Sequence, residues 1–312
     1  MNLTIEKLVY GGEGLARVDG QVVFTPFVLP GETVEAASPA SKKHAQRADL
    51  LRVSQPSADR VAAPCPIFGK CGGCHYQHAD YPAQLRLKRG ILAETLRRGA
   101  KLEIDEAQIA ITSGDPWAYR NRTQFHIENG LIGFRRMRSR KLVPAAQCPI
   151  SSPKINEALA KLNRMVKDRR WPRFVTSLEV FTDEKQVQWN VREVSQPVAK
   201  HFFDWLAAEV PGTVPGALEY ETGGDVFSVS GNSFFQVNRS LVGSLADLAI
   251  GGETGEVAWD LYAGAGLFSV PLARRFSKVT AVEAGRAADD LRRNTQRAGV
   301  AVETIRQSSE AF

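Results

Sequence analysis

Between residues 257 and 306 the chain alternates apolar runs and amphipathic stretches around a glycine turn, and few folds accept that pattern. Val257-Ala-Trp-Asp-Leu-Tyr reads as a buried strand and runs into Asp260-Leu-Tyr262-Ala-Gly264-Ala-Gly266-Leu-Phe-Ser269. The spacing then predicts a helix over 267–276, a strand over 278–283, a helix over 287–298 and a third strand over 302–306. Parallel neighbours need a crossover, so strand–helix–strand–helix–strand opens a doubly wound, Rossmann-like sheet. Such sheets hold about five or six strands, so 225–312 is expected to contain only the first part of that domain.

Glycines at a strand-to-helix turn let a ligand approach the backbone at a helix N-terminus. A dinucleotide fingerprint wants a third glycine where Ser269 stands, which disfavours a nicotinamide or flavin oxidoreductase. Glu283 ends the second strand, 19 residues after Gly264. There a carboxylate can accept hydrogen bonds from both hydroxyls of a ribose, an arrangement that suits S-adenosylmethionine. Taken alone, a surface carboxylate is the simpler reading of Glu283.

Upstream, residues 1–55 read as short strands between turns such as Gly11-Gly12-Glu13-Gly14 and Leu29-Pro30-Gly31-Glu32. This predicts a small, OB-like β-barrel that ends near Gln55-Pro56. Residues 56–224 form a central α/β region: a cysteine loop, then a helix over 81–98 capped by Gly99. Strands are expected over 122–128, 131–134, 176–182 and 187–191, and helices over 154–166 and 198–209. A further helix over 240–249 belongs to the C-terminal domain, 225–312. No internal repeat stands out.

The 40 basic and 34 acidic residues are unevenly placed: 51–150 carry 16 basic and 8 acidic groups, and each flank is net −1. The densest run is Gly133-Phe-Arg135-Arg136-Met-Arg138-Ser-Arg140-Lys141, with Arg120 and Arg122 just upstream. It is either a solvated hairpin or a polyanion-facing surface; cations beside Phe134 suit RNA phosphates and stacking. No apolar run approaches the roughly 20 residues that span a bilayer. Met1-Asn-Leu-Thr-Ile-Glu-Lys7 has neither the basic nor the apolar segment of a secretory signal. A soluble cytoplasmic protein is expected, monomeric and without a membrane partner.

Four cysteines occur: Cys65, Cys71, Cys74 and the remote Cys148. Clustering within ten residues in a reducing compartment argues against disulfides. In Cys71-Gly-Gly-Cys74 the glycines free backbone N–H groups to point at sulfur. Zinc sites usually pair two Cys-x2-Cys turns, so an iron–sulfur cluster fits better, with zinc and buried thiols as alternatives. His75 and His78 are read as ordinary polar residues.

Together these pieces resemble one family, the S-adenosylmethionine-dependent RNA (uracil-5-)-methyltransferases that carry a TRAM domain and a 4Fe–4S cluster. Leu29-Pro-Gly-Glu32 is similar to the TRAM signature. Cys65-Pro-Ile-Phe-Gly-Lys-Cys71-Gly-Gly-Cys74-His-Tyr-Gln77-His is similar to the cluster loop, and Cys148-Pro-Ile to its fourth ligand. Tyr119-Arg-Asn-Arg122 and Ile132-Gly-Phe134 match the central domain, and Phe234-Phe-Gln236-Val-Asn238 and Asp260–Gly266 the cofactor motifs. The resemblance implies S-adenosylmethionine contacts from Gln236, Tyr262 and Glu283 at the Gly264 and Gly266 turn, and Cys65, Cys71, Cys74 and Cys148 as cluster ligands. Leu267 replaces a frequent polar contact and Ala263 a frequent cysteine.

The family chemistry uses a Cys thiolate that adds to uracil C6, and a carboxylate that removes the C5 proton. It resides in Asp-Pro-Pro-Arg and Ser-Cys-Asn-Pro segments and a C-terminal Glu, none of which occurs here. No catalytic residue is therefore named, and this polypeptide alone is expected not to methylate uracil. A fragment of a complete enzyme is the favoured explanation, ahead of a non-catalytic iron–sulfur RNA-binding protein and of a second chain completing the sheet. The substrate favoured by the resemblance is 23S ribosomal RNA, with transfer RNA as the alternative.

Overall fold

The computed structural model describes residues 1–37 and 45–312. The chain divides into two units: Met1–Ser113 with Arg135–Val143, and Gly114–Phe134 with Pro144–Phe312.

Unit 1 begins with short strands: β1 (Asn2–Thr4), β2 (Lys7–Leu8), β3 (Glu13–Val18), β4 (Gln21–Pro26), β5 (Thr33–Ala36), β6 (Ala45–Arg47) and β7 (Leu50–Gln55). β2, β3 and β4 pair antiparallel and β6 joins β4 in parallel, while β5 pairs antiparallel with both β1 and β7. Burial alternates along β4 and β5, as a period of two requires, and Leu3, Ile5, Ala16, Val23, Val28 and Val34 share one core. Residues 38–44, inside the predicted barrel, lie outside the described residues.

Glu32 closes its turn from a fully buried position. It accepts from Leu29 N–H at 2.8 Å, Ser57 N–H at 3.2 Å and Arg60 Nη2 at 2.7 Å. Burial pushes its carboxyl up, but Arg60 and the two backbone N–H groups outweigh that and hold it below the usual carboxylate range.

After the cysteine loop comes α1 (Tyr81–Ala100), started by Asp80, whose side chain accepts from Ala83 N–H at 2.7 Å. Ala83, Leu87 and Ile91 pack on Leu8, Leu29 and Ala79, leaving Arg86, Lys88, Arg97 and Arg98 outward. Gly99 does not cap the helix. It lies inside, and Lys101 takes the left-handed conformation (φ 58°) with its N–H on Leu96 O.

The following elements are β8 (Arg122–Glu128), β9 (Leu131–Arg135), β10 (Leu142–Pro144), α2 (Pro153–Met165), β11 (Val175–Thr182), β12 (Val187–Val194) and α3 (Lys200–Glu209). Within unit 2, β9, β8, β11 and β12 lie side by side and antiparallel, and α2 buries Ile155, Leu159 and Leu162. Next comes a hairpin absent from the sequence reading, β13 (Leu218–Thr222) and β14 (Asp225–Val229). Its turn, Gly223-Gly224, has φ 61° and 79°, the two-residue geometry that matches strand twist.

The chain ends with α4 (Val242–Ile250), β15 (Gly255–Leu261), α5 (Ser269–Leu272), β16 (Phe276–Val282), α6 (Ala287–Arg297) and β17 (Glu303–Ile305). β15, β16 and β17 are parallel in that order, with Asp260 opposite Ala281 and Leu261 opposite Val282. The helix expected over 267–276 shrinks to α5. Its end tightens into bonds from Arg274 N–H to Pro271 O and Arg275 N–H to Leu272 O, and Phe276 pairs with Gly255 instead. Phe181, Leu218, Tyr220, Phe227, Phe235 and Leu267 pack β11, the hairpin and the glycine turn into one cluster. Among the described residues no helix is long and apolar enough to cross a membrane.

Candidate functional site

Leu261 ends β15, and the chain reverses through Tyr262 (φ 60°) and Gly264 (φ 56°). A left-handed backbone costs a residue with a side chain roughly 1–2 kcal/mol, yet Tyr262 adopts it and stands 70% exposed. Ala263 N–H donates to Val282 O at 3.0 Å and ties the turn to the end of β16. Gly266 serves packing: a Cβ there would sit 2.8 Å from Leu291 Cδ1 on α6. Ser269 Oγ donates to Asp260 Oδ2, both groups buried. That contact uses the hydroxyl of the residue standing where a dinucleotide fingerprint has glycine. Burial raises the Asp260 carboxyl; Ser269 pulls it down and Glu283 adds to the rise, with a raised value as the net.

Glu283 lies just beyond β16. Its Oε2 accepts from Gly264 N–H at 2.9 Å and its Oε1 from Gly285 N–H at 2.7 Å, while its own N–H donates to Ile305 O at 3.1 Å. Among the described residues no cation pairs with this carboxylate. Each oxygen therefore keeps a lone pair for a further donor.

Gln236 sits half-buried on the loop after β14. The loop is anchored by Phe235, whose ring lies 4.9 Å from that of Tyr220, while Phe234 is 65% exposed. Asn121 donates through Nδ2 to Gln236 O at 3.1 Å and through N–H to Val237 O at 3.0 Å. From α6, the fully buried Asp290 accepts from Ser230 N–H at 2.9 Å and from the hydroxyls of Ser230 and Ser233, each at 2.6 Å, and pairs with Arg293. One turn on, Asn294 accepts from Ser228 N–H at 2.7 Å and donates to Ala265 O at 2.8 Å. A Cβ on Gly264 would lie 3.9 Å from Phe234 O, so the two loops adjoin. The result is a carboxylate with open lone pairs, exposed rings and a half-buried amide around a glycine turn, groups suited to a nucleoside.

In unit 1 the cysteine loop is folded by its own backbone. Cys71 N–H donates to Ile67 O at 2.9 Å, Gly73 N–H reaches Cys71 Sγ at 3.4 Å, and Cys65 N–H donates to Gln77 Oε1 at 3.3 Å. Gly72 N–H donates to Arg135 O at 3.0 Å and Met137 N–H to Lys70 O at 3.3 Å, which zips the basic hairpin onto the loop. A Cβ on Gly72 would be 3.1 Å from Met137 Cα. Cys148 belongs to unit 2, where its N–H donates to Asn156 Oδ1 at 2.8 Å. The thiol donor set suits iron–sulfur chemistry, yet among the described residues no three His, Cys, Asp or Glu side chains are grouped to hold a metal. His78 is buried, its Nε2 3.2 Å from Val28 O and its ring stacked on Phe68.

A TRAM domain model matches residues 1–37. The 23S rRNA (uracil(1939)-C(5))-methyltransferase RlmD of Halomonas elongata is 34% identical over 98% of this chain and 70% of its own length. The chain belongs to the RNA uracil-C5 methyltransferase family. An uncharacterized RNA methyltransferase of Aquifex aeolicus is 32% identical over 92% of this chain and 72% of its own. In fold, the chain is similar to the Pyrococcus abyssi tRNA (uracil-54, C5)-methyltransferase solved with S-adenosyl-L-homocysteine: TM-score 0.76, 21% identity, 99% of this chain and 79% of that one.

For this uracil-C5 methyltransferase family member, the structure brings Gly264 and Glu283 into contact, sets Tyr262 on the same turn and Gln236 on the adjoining loop, and turns Gly266 toward α6. Arg122, expected near RNA, is internal. It is 8% exposed, donates to Ser233 O at 2.6 Å, pairs with Glu179 and lies over the Phe181 ring. The sequence reading missed Asp290 and Asn294. Their signal is i, i+4 spacing on the face of α6 that also carries Ala287 and Leu291.

Proposed function

We propose that this chain binds S-adenosylmethionine and RNA for methylation of a uridine at C5, in 23S ribosomal RNA ahead of transfer RNA. The supporting observation is the Glu283 carboxylate, held by Gly264 and Gly285 N–H groups at the carboxyl end of parallel strands. Its free lone pairs accept the two ribose hydroxyls; Tyr262 and Gln236 complete the contacts, and Phe234 covers one side. When bound, S-adenosylmethionine supplies an electrophilic methyl group. Uracil C5 needs a thiolate on C6 to accept it and a base to remove the C5 proton. Cys65, Cys71, Cys74 and Cys148 are assigned to a 4Fe–4S cluster, so none of them is assigned as that thiolate.

Titration calorimetry with S-adenosylmethionine tests the cofactor site. Glu283→Ala should lose about 10- to 100-fold in affinity, the size of a lost charged hydrogen-bond pair; unchanged affinity overturns the assignment. Iron and acid-labile sulfide in protein purified without oxygen test the cluster, and their absence removes it. Tritium release from 5-tritiated uridine in 23S ribosomal or transfer RNA reads turnover and substrate choice together.

A further inference from the structure

Glu13, at the start of β3, is the shared partner of two arginines from distant parts of unit 1. Arg47 Nε lies 3.2 Å from Glu13 Oε1 and 3.3 Å from Oε2, and Arg138 Nη2 donates to Oε1 at 2.6 Å. The carboxylate is nearly enclosed, its side chain 12% exposed, whereas Arg47 and Arg138 are 62% and 54% exposed. Three chain segments thus meet: β3, the end of β6, and the hairpin that Gly72 and Lys70 hold against the cysteine loop. One carboxylate under two guanidiniums leaves a net positive charge. Each arginine gives Glu13 only part of its five-donor fork, so outward N–H groups stay available in fixed positions.

We propose that Arg47 and Arg138 form a phosphate-binding fork for the RNA backbone and that Glu13 is its positioning residue. The inference rests on the RNA reading above and specifies where the backbone is gripped. Arg136, Arg140 and Lys141, exposed on the same hairpin, extend the positive surface. Fixing two long side chains beforehand lowers the ordering cost of binding, and guanidinium forks match phosphate geometry. Arg138 is therefore a tethered contact and not a freely solvated side chain.

The test is fluorescence-anisotropy titration of poly(U) over a range of salt concentrations, with thermal unfolding run in parallel. Arg47→Ala and Arg138→Ala should each weaken binding about tenfold and flatten the log–log salt slope by about 0.7. Arg52→Ala, which removes an exposed arginine paired with Glu35 on another strand, should leave both nearly unchanged. Glu13→Gln separates positioning from bulk charge. Removal of a negative charge alone would tighten binding, whereas a lost fork weakens it severalfold. Tighter or unchanged binding in Glu13→Gln, or an intact slope in both alanine variants, overturns the fork. If Glu13→Gln does not fold, Arg138→Lys decides: the slope persists and affinity drops if fork geometry matters, and undiminished affinity overturns the proposal. Wild-type protein that ignores poly(U) even at low salt defeats the RNA reading itself, an outcome distinct from these.

Discussion

Glu32 and Glu283 are both carboxylates gripped by backbone N–H groups at a turn, one in each unit, and they differ in a single partner. Glu32 also receives the Arg60 guanidinium and is sealed from water; Glu283 has no cation among the described residues and stays half-buried. Arginine fills the lone pairs of the first and makes it a structural bolt. Two N–H groups orient the second and leave acceptor capacity for a ligand. Similar local chemistry yields a closed or an open site according to whether a cation completes it.

The strongest way to break this contrast is to unbolt Glu32. Glu32→Ala leaves Arg60 half-buried without its partner and two N–H donors orphaned, so unit 1 should lose about 3–5 kcal/mol in denaturant unfolding. A loss as small as that of an exposed pair, under about 1 kcal/mol, would put Glu32 in the same class as Glu283.

Acid attacks the same bolt. Burial holds the His78 imidazole down at about 4, against an ordinary 6.5. The unfolded chain therefore takes up a proton below 6.5 that the folded chain refuses until about 4, and stability falls across that window by about 3 kcal/mol. The lowered Glu32 value acts in the same direction: its contribution is present above about 4.5 and is lost as pH falls below it. Unfolding midpoints measured from pH 7 to pH 4 should fall, and His78→Gln should flatten the upper part of the profile. A midpoint constant over that range would contradict the buried, neutral imidazole.

On the open side, Asp290→Ala should cost about 2–3 kcal/mol, because it removes the acceptor of Ser230 N–H, of the half-buried Ser230 hydroxyl and of the buried Ser233 hydroxyl. S-adenosylmethionine affinity should fall with it, since the loop bearing Gln236 loses its hold. Destabilisation with undiminished affinity would show that the loop is fixed by Phe235 and Asn121 alone.

Local patterns carried much of this fold to the sequence reader. The strand over 122–128 follows from alternation, and the parallel order of β15 to β17 from helix-period segments between apolar runs. That the Gly264 turn and Glu283 stand at the carboxyl ends of adjacent strands follows from the strand–helix–strand pattern, whereas the hydrogen bond between them does not. What stayed hidden depends on distant partners. Arg138 lies 125 residues from Glu13 in sequence, and no local pattern declares that the hairpin tip packs with unit 1. Arg122 reads as one more cation in a basic stretch until Glu179 and Phe181 enclose it. Asp290 reads as a surface acid on a polar helix until the Ser230–Ser233 turn closes over it. The shortened α5 is tertiary override, since pairing with β15 claims Phe276 before helix propensity can act.

The smallest expected effect sharpens the open site most. Tyr262 Oη donates to Glu310 Oε1 at 2.5 Å, and that hydrogen bond with the nearby carboxylate charge raises the phenol above its usual value. A hydroxyl already engaged in this way is a poor additional ligand donor, so the ring should supply the contact with cofactor. Tyr262→Phe should then change S-adenosylmethionine affinity by less than about 0.5 kcal/mol, as expected for a solvent-exposed hydrogen bond. Tyr262→Ala should cost about 1–2 kcal/mol through the lost aromatic surface. Equal losses in the two variants would instead make the hydroxyl the ligand. Glu310 would then compete with the cofactor for it, and Glu310→Gln would tighten binding.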